Sequence, residues 1–284
     1  MLGHEDLFAH VIPLKGANEE FYTANVVAAD IVWLGHQEIA LKTDNENAIK
    51  SLTKQVMEVL KVMSPGVENI ITEHPAPYDS QSNGGTQIGV KIVRGMFRTF
   101  KLCLEACIGK YVPVQHALIP WLLEHTCTVL NVRMRGPDGM TSWQRVRGRA
   151  FNQRVIGFAD CILYKLPPKG PRHDPDGNMG ARWKEGIFLG HQRSSNTYVV
   201  GTEDGVTIAR SLMRRLMENR WSLDQIAELK ATPWSLREKP QAQARFQEEA
   251  QVRDEAQVPQ TPAAPRRFRI NKADLEQHGY TVAA

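Results

Sequence analysis

The sequence predicts an α/β fold: a mixed sheet with flanking helices, followed by a small β-rich, barrel-like domain and a disordered tail. Three observations carry this reading. Over residues 7–72, short apolar runs alternate with stretches of helical periodicity, the strand–helix–strand–helix–strand order of a parallel sheet. From Phe158 the pattern changes to short β runs divided by Gly-, Pro-, Asp- and Asn-rich turns. Residues 231–267 are rich in Pro, Gln, Ala and Glu, a composition that suits a linker with little fixed structure.

The elements follow in order. Residues 7–13 (Leu-Phe-Ala-His-Val-Ile-Pro) read as a strand stopped by proline. Asn18 is a candidate cap for a helix from Glu19 to about Trp33, ended by Gly35. Residues 38–43 form a short strand. Asn45 or Asn47 then opens a helix to about Met63, with Ser64-Pro65-Gly66 as the stop. Residues 67–72 form the next strand, and a Pro-, Ser-, Asn- and Gly-rich loop runs to Gly85. Two long helices, about 86–109 and 113–132, are divided by Gly109 and Pro113, and a helical turn spans about 141–147. The β runs are 161–166, 186–189, 197–200 and 206–210, with an exposed loop expected over 165–182. A last strand and helix are expected at 268–270 and 272–278. The resulting division is a core over 1–150, a β-rich domain over 155–228, a linker over 229–267 and a tail over 268–284.

At 284 residues, with 42% hydrophobic and 23% charged, the chain is neither wholly disordered nor a membrane protein. Its apolar stretch at 111–123 is too short to span and contains Pro113, His116 and Pro120. The N-terminus lacks the pattern of a secretory signal, and the four cysteines contain no C-x-x-C pair. The expected setting is therefore reducing, nucleus or cytoplasm rather than secreted. The net charge of +4 hides an asymmetry. Residues 1–87 hold 5 Lys/Arg against 12 Asp/Glu, a net of −7, whereas residues 88–154 hold 11 against 3, a net of +8. Such a basic block suits a polyanion, although a solvated helical face would look the same.

Two places concentrate chemistry. Asp44 stands just past a predicted parallel strand, at the sheet edge where ligands collect, and its carboxylate could hold Mg²⁺ or simply cap the next helix. On the helix from residue 86, Lys91, Arg94, Arg98, Lys101 and Glu105 fall within an arc of roughly 80°, with Gln87 near its middle. Val93, Phe97, Phe100, Leu104 and Cys107 occupy a separate arc that would face the core. A basic row aimed outward suits phosphate contacts, which position nucleic acid without reading its sequence. Arg133, Arg135, Arg145, Arg147 and Arg149 would extend that surface. Zinc held by His116, His125, Cys127, Cys103 and Cys107 is the less favoured reading against core packing. Trp143 and Trp183 could stack on bases or pack in a core. There is no G-x-S-x-G, and Ser80 and Ser82 have no base nearby in sequence.

The run Tyr78-Asp79-Ser80-Gln81-Ser82-Asn83-Gly84-Gly85-Thr86-Gln87 resembles the loop-to-helix motif of retroviral and copia-like retrotransposon integrases. Residues 41–46 (Leu-Lys-Thr-Asp-Asn-Glu) resemble the strand end that carries that family's second catalytic aspartate. Residues 9–16 (Ala-His-Val-Ile-Pro-Leu-Lys-Gly) resemble the strand after the one bearing the first. With the following helices and Trp121 the likeness covers about 5–150, and residues 182–190 (Arg-Trp-Lys-Glu-Gly-Ile-Phe-Leu-Gly) are similar to the small β domain behind the core. The resemblance implies a ribonuclease H-like core in which three carboxylates clamp two Mg²⁺ ions and align a water or 3′-hydroxyl with a phosphate. It places Asp44 as metal ligand and catalytic residue, Gln87 where the family has its catalytic glutamate, and Asn83, Gly84, Lys91, Arg94, Arg98 and Lys101 toward nucleic acid.

Two departures bear on activity. The first aspartate would lie upstream of Leu7, outside this sequence, and neither Asp6 nor Asp30 is suited to replace it. Gln87 offers a neutral amide in place of an anionic ligand. The expected function is therefore a truncated, partly degenerate integrase segment of a retrotransposon polyprotein that binds DNA, with RNA as a second candidate and self-association left open. Strand transfer by this chain alone is expected to be slight or absent, so enzyme status stays open. A non-catalytic nucleic-acid-binding or interaction module derived from such a core is the alternative. An unrelated α/β protein with a basic face is the third.

Overall fold

The computed structural model describes residues 6–16, 20–64, 66–67, 69–73, 84–167, 180–195 and 197–237. The described residues all fall within one compact unit. The expected loop at 74–83 with Asn83, most of the 165–182 loop, and the linker and tail beyond Arg237 lie outside the described residues.

The first layer joins helices α1 (Tyr22–Leu34) and α2 (Asn47–Met63) to strands β1 (Glu38–Lys42) and β2 (Asn69–Glu73). The two strands pair in parallel from Glu38 opposite Asn69 to Lys42 opposite Glu73, as the strand–helix alternation predicts. Ile39, Leu41 and Ile70 turn toward α1 and α2, where Ala24, Ala28, Val56 and Leu60 are buried. That alternation is the period-2 rule of a half-covered strand. α1 ends at Gly35, whose φ of +75° is open to glycine at no steric cost.

Residues 7–13 are not the strand expected of them. Leu7 gives its backbone N–H to Asn131 Oδ1 at 2.9 Å and takes the Asn131 amide N–H on its carbonyl, also at 2.9 Å. A side-chain amide thus supplies what a ladder neighbour would, and the segment runs irregularly between helices. Its side chains pack with α3 (Gly84–Ile108) and α4 (Leu118–Arg133): Leu7 and Ala9 sit with Val93, Cys127 and Leu130. The sheet of β1 and β2 is covered by α1 and α2.

α4 is the central helix, with 11 of its 16 residues buried, so its hydrophobicity runs all round rather than along a stripe. Pro120 falls in its first turn, where the missing N–H would have had no helical partner anyway. α5 (Ser142–Arg147) starts with a capping box. Gln144 N–H donates to Thr141 Oγ1 at 3.2 Å, and Thr141 N–H donates to Gln144 Oε1 at 2.8 Å.

The β-rich part is a five-stranded antiparallel sheet of β3 (Cys161–Lys165), β4 (Trp183–Gln192), β5 (Thr197–Thr202), β6 (Gly205–Ala209) and β7 (Leu212–Arg214), in the order β6-β5-β4-β3-β7. The barrel-like expectation is corrected here: among the described residues the sheet is open, with β6 and β7 at opposite ends. One face is packed by α4, α6 (Leu223–Glu228) and the end of α3. Leu104, Leu118, Leu122, Ile187, Leu189, Ile226 and Leu229 share a single cluster there. Residues 229–237, which composition assigns to the linker, belong to this packing: Leu229 and Ala231 are buried, and Trp121 Nε1–H donates to the Ala231 carbonyl at 2.8 Å.

Candidate nucleic-acid interface

The two arcs of α3 emerge as the sequence implied. Val93 and Leu104 are buried, with Phe97 and Phe100 half-buried beside them, while Lys91, Arg94 and Arg98 are exposed in a row. Lys101 differs from those three. Its Nζ lies 2.5 Å from Glu105 Oε1 and 4.3 Å from the centre of the Tyr111 ring. Glu105 also accepts the Val112 N–H at 2.9 Å. The Lys101 hydrogen bond and that backbone donor hold the Glu105 carboxyl below the usual range. Lys101 therefore helps close the α3–α4 connection, and the row presents three outward cations.

A second basic surface lies at the end of α4 and around α5. Arg133, Arg135, Arg147, Arg149 and Arg154 are exposed. Arg145 grips Asp138 with two donors, Nε at 3.0 Å and Nη2 at 2.6 Å. Arg147 lies 4.7 Å over the Trp33 ring, a stacking that leaves a guanidinium edge to meet an anion. Trp143 packs between Trp33 and Phe151 and is buried, the core role rather than base stacking.

Asp44 is exposed two residues past β1, and Thr43 N–H continues the parallel pairing to the Glu73 carbonyl at 3.2 Å. Gly84 opens α3, and Gln87 is exposed in its first turns. One carboxylate and one neutral amide do not make the donor set that two Mg²⁺ ions require. Among the described residues, no three His, Cys, Asp or Glu side chains are grouped to hold a metal ion. Cys103 and Cys107 are exposed on α3, contrary to the core placement expected of Cys107, whereas Cys127 is buried. No helix of the described residues is long and apolar enough to cross a membrane.

No family model matches this chain, and no curated protein does. Among solved structures, a cryoEM structure of a simian T-cell lymphotropic virus intasome in complex with the PP2A regulatory subunit B56 gamma contains a chain similar to it. The identity is 13% and the TM-score 0.33, over 70% of this chain and 66% of that one. A likeness of that size carries no argument about fold or activity. The functional reading rests on the chain's own residues.

One cluster escaped the sequence reading. His10 lies between two carboxylates, with Nε2 2.9 Å from Asp30 Oδ2 and Nδ1 3.0 Å from Glu124 Oε1. Both partners are acceptors, so only the imidazolium satisfies both contacts. Burial works against that charge, yet the hydrogen bonds and negative charge of Asp30 and Glu124 outweigh it and lift the His10 pKa to about 9. Arg193, at the end of the β4 hairpin, bonds Asp30 Oδ1 and lies 4.4 Å over the Phe8 ring. Asp30 is only 7% exposed, so its charge needs these two cations. The hint in the sequence was a lone aspartate inside the apolar run Val-Val-Ala-Ala-Asp-Ile-Val-Trp-Leu. Beside this cluster, His125 and His191 sit in an aromatic nest with Phe158, Phe188 and Tyr198. Burial drives their pKa values down to about 3 and about 4.

Proposed function

We propose that this chain is a nucleic-acid-binding segment related to an integrase core, which grips the phosphate backbone of DNA without base readout and does not carry out strand transfer by itself. The exposed row Lys91, Arg94 and Arg98 on a 25-residue helix is the observation that supports it. Three cations one helical turn apart suit successive phosphates along a groove edge, and the arginine surface around α5 adds sequence-indifferent attraction. At the two positions that the resemblance assigns to metal, Asp44 supplies a carboxylate and Gln87 only a neutral amide. That combination supports binding over chemistry.

The experiment is fluorescence anisotropy of a labelled duplex over a range of salt. Two duplexes of unrelated sequence should bind with equal affinity. Removing Lys91, Arg94 and Arg98 together should lower the slope of log K against log salt by about 0.9 for each phosphate no longer neutralised. An unchanged slope assigns the row to solvent and defeats the proposal.

A further inference from the structure

Beside the basic row, α3 exposes a second stripe that phosphate binding leaves unused. Ile88, Ile92, Gly95, Thr99, Leu102 and Ala106 recur at alternating intervals of four and three residues, the spacing of a helix–helix seam. Ile88 is 41% exposed and Leu102 65%, with the exposed small residues Gly95 and Thr99 between them and the exposed Ala106 one turn beyond Leu102. Only Ile92 turns partly inward, against the cluster of Val93 and Cys127. The Thr99 hydroxyl donates to the Gly95 carbonyl at 3.2 Å, so the polar hydrogen on this stripe is already satisfied. A Cβ built on Gly95 would meet nothing within 4 Å, so the space above the centre of the stripe is open.

We propose that this seam docks an amphipathic helix of another protein that carries carboxylates beside its own apolar stripe. The charge beside the seam selects the occupant. Lys91, Arg94 and Arg98 run along one border, so a partner with acidic flanking residues gains attraction along the whole interface. A second copy of α3 in antiparallel register would instead bring its own Lys91 and Arg98 against these. The small residues at 95, 99 and 106 permit the close axial approach of two helices. A bilayer surface gains little from such a flat, shallow stripe, because interfacial helices bury large side chains. The seam is about 27 Å long at ~1.5 Å per residue. One helix on it buries less than the standard interface of ~1,600 Å², so the complex belongs to the weak, transient class.

The test uses the full chain and two synthetic 21-residue peptides. Both carry Leu and Ala on the seam positions; one has Glu at the flanking positions and the other Lys. At about 0.15 M salt the Glu peptide should bind at least tenfold more tightly than the Lys peptide. Leu102→Ser and Gly95→Leu should each weaken it about fivefold or more while leaving duplex affinity unchanged. Gly95→Leu raises helix propensity, so its effect cannot come from a melted helix. Equal binding of the two peptides, or no effect of both substitutions, would overturn the proposal. So would a Leu102-dependent dimer in sedimentation, which gives the seam to a second copy, or Leu102-dependent capture by anionic vesicles in preference to the peptide. Loss of duplex binding with intact peptide binding would remove the nucleic-acid reading alone.

Discussion

Removing the charge on His10 should take away the alkaline part of this protein's stability profile. The folded pKa of His10 is about 9 against an ordinary 6.5. The stabilisation is therefore fully present below pH 6.5 and lost as pH rises from there toward 9. At about 1.4 kcal/mol per pH unit, the difference between those values gives an upper bound of roughly 3 kcal/mol. The Glu124 side chain is 32% exposed, and solvent screening on that side trims the expected loss to about 2 kcal/mol. The assay is urea unfolding at pH 6.0, 7.0, 8.0 and 8.5 on the native chain and on His10→Gln, which cannot titrate. The native chain should lose about 2 kcal/mol more than the variant across that window. Cys127, held protonated by burial, begins to act only at the alkaline end and is common to both proteins. Parallel profiles for the two chains would show that His10 is not the linked group and would refute the ion-network account.

Three further outcomes are expected of the same structure. At the acid end, burial depresses His125 and His191 to about 3 and about 4, so their contribution is present above pH 6.5 and lost as pH falls; His125→Phe should flatten that loss in urea titrations between pH 6.5 and 4.5. Gly205→Ala should cost at least about 2 kcal/mol by urea midpoint, because φ is +120° and the new Cβ would lie 2.3 Å from the Leu236 carbonyl oxygen that binds Val206 N–H. Gln87→Glu should tighten Mn²⁺ binding, read by paramagnetic relaxation, without producing metal-dependent joining of a labelled DNA end to a plasmid; robust joining by the unmodified chain would show that the active site is misplaced.

What the sequence disclosed and what it hid divide along sequence distance. The two arcs of α3, the parallel pairing of β1 with β2 and the helical turn at 141–147 all depend on residues within one or two elements, where periodicity rules act. The run at 7–13 misled because alternation of apolar residues fits any extended segment. Its backbone is satisfied by Asn131, 124 positions away, and no local pattern signals that. β7 has three residues, too few to alternate. The ion network draws on His10, Asp30, Glu124 and Arg193, one group from each of four distant segments, so only the fold brings it together. Lys101 and Glu105 were visible as an i,i+4 pair, yet nothing local shows that Val112 returns to the same carboxylate and withdraws Lys101 from the row.

Lys101 is thus an internal control for the central claim, that three cations of α3 grip phosphates. Duplex affinity should be measured from about 0.05 to 0.3 M salt for the native chain, for Lys91→Ala/Arg94→Ala/Arg98→Ala together, and for Lys101→Ala alone. The triple variant should lower the salt slope by about 2.7, three phosphates at about 0.9 each, and Lys101→Ala should leave it unchanged. A slope that survives the triple variant, or that falls as much on removal of Lys101 as on removal of any other cation, would contradict the account.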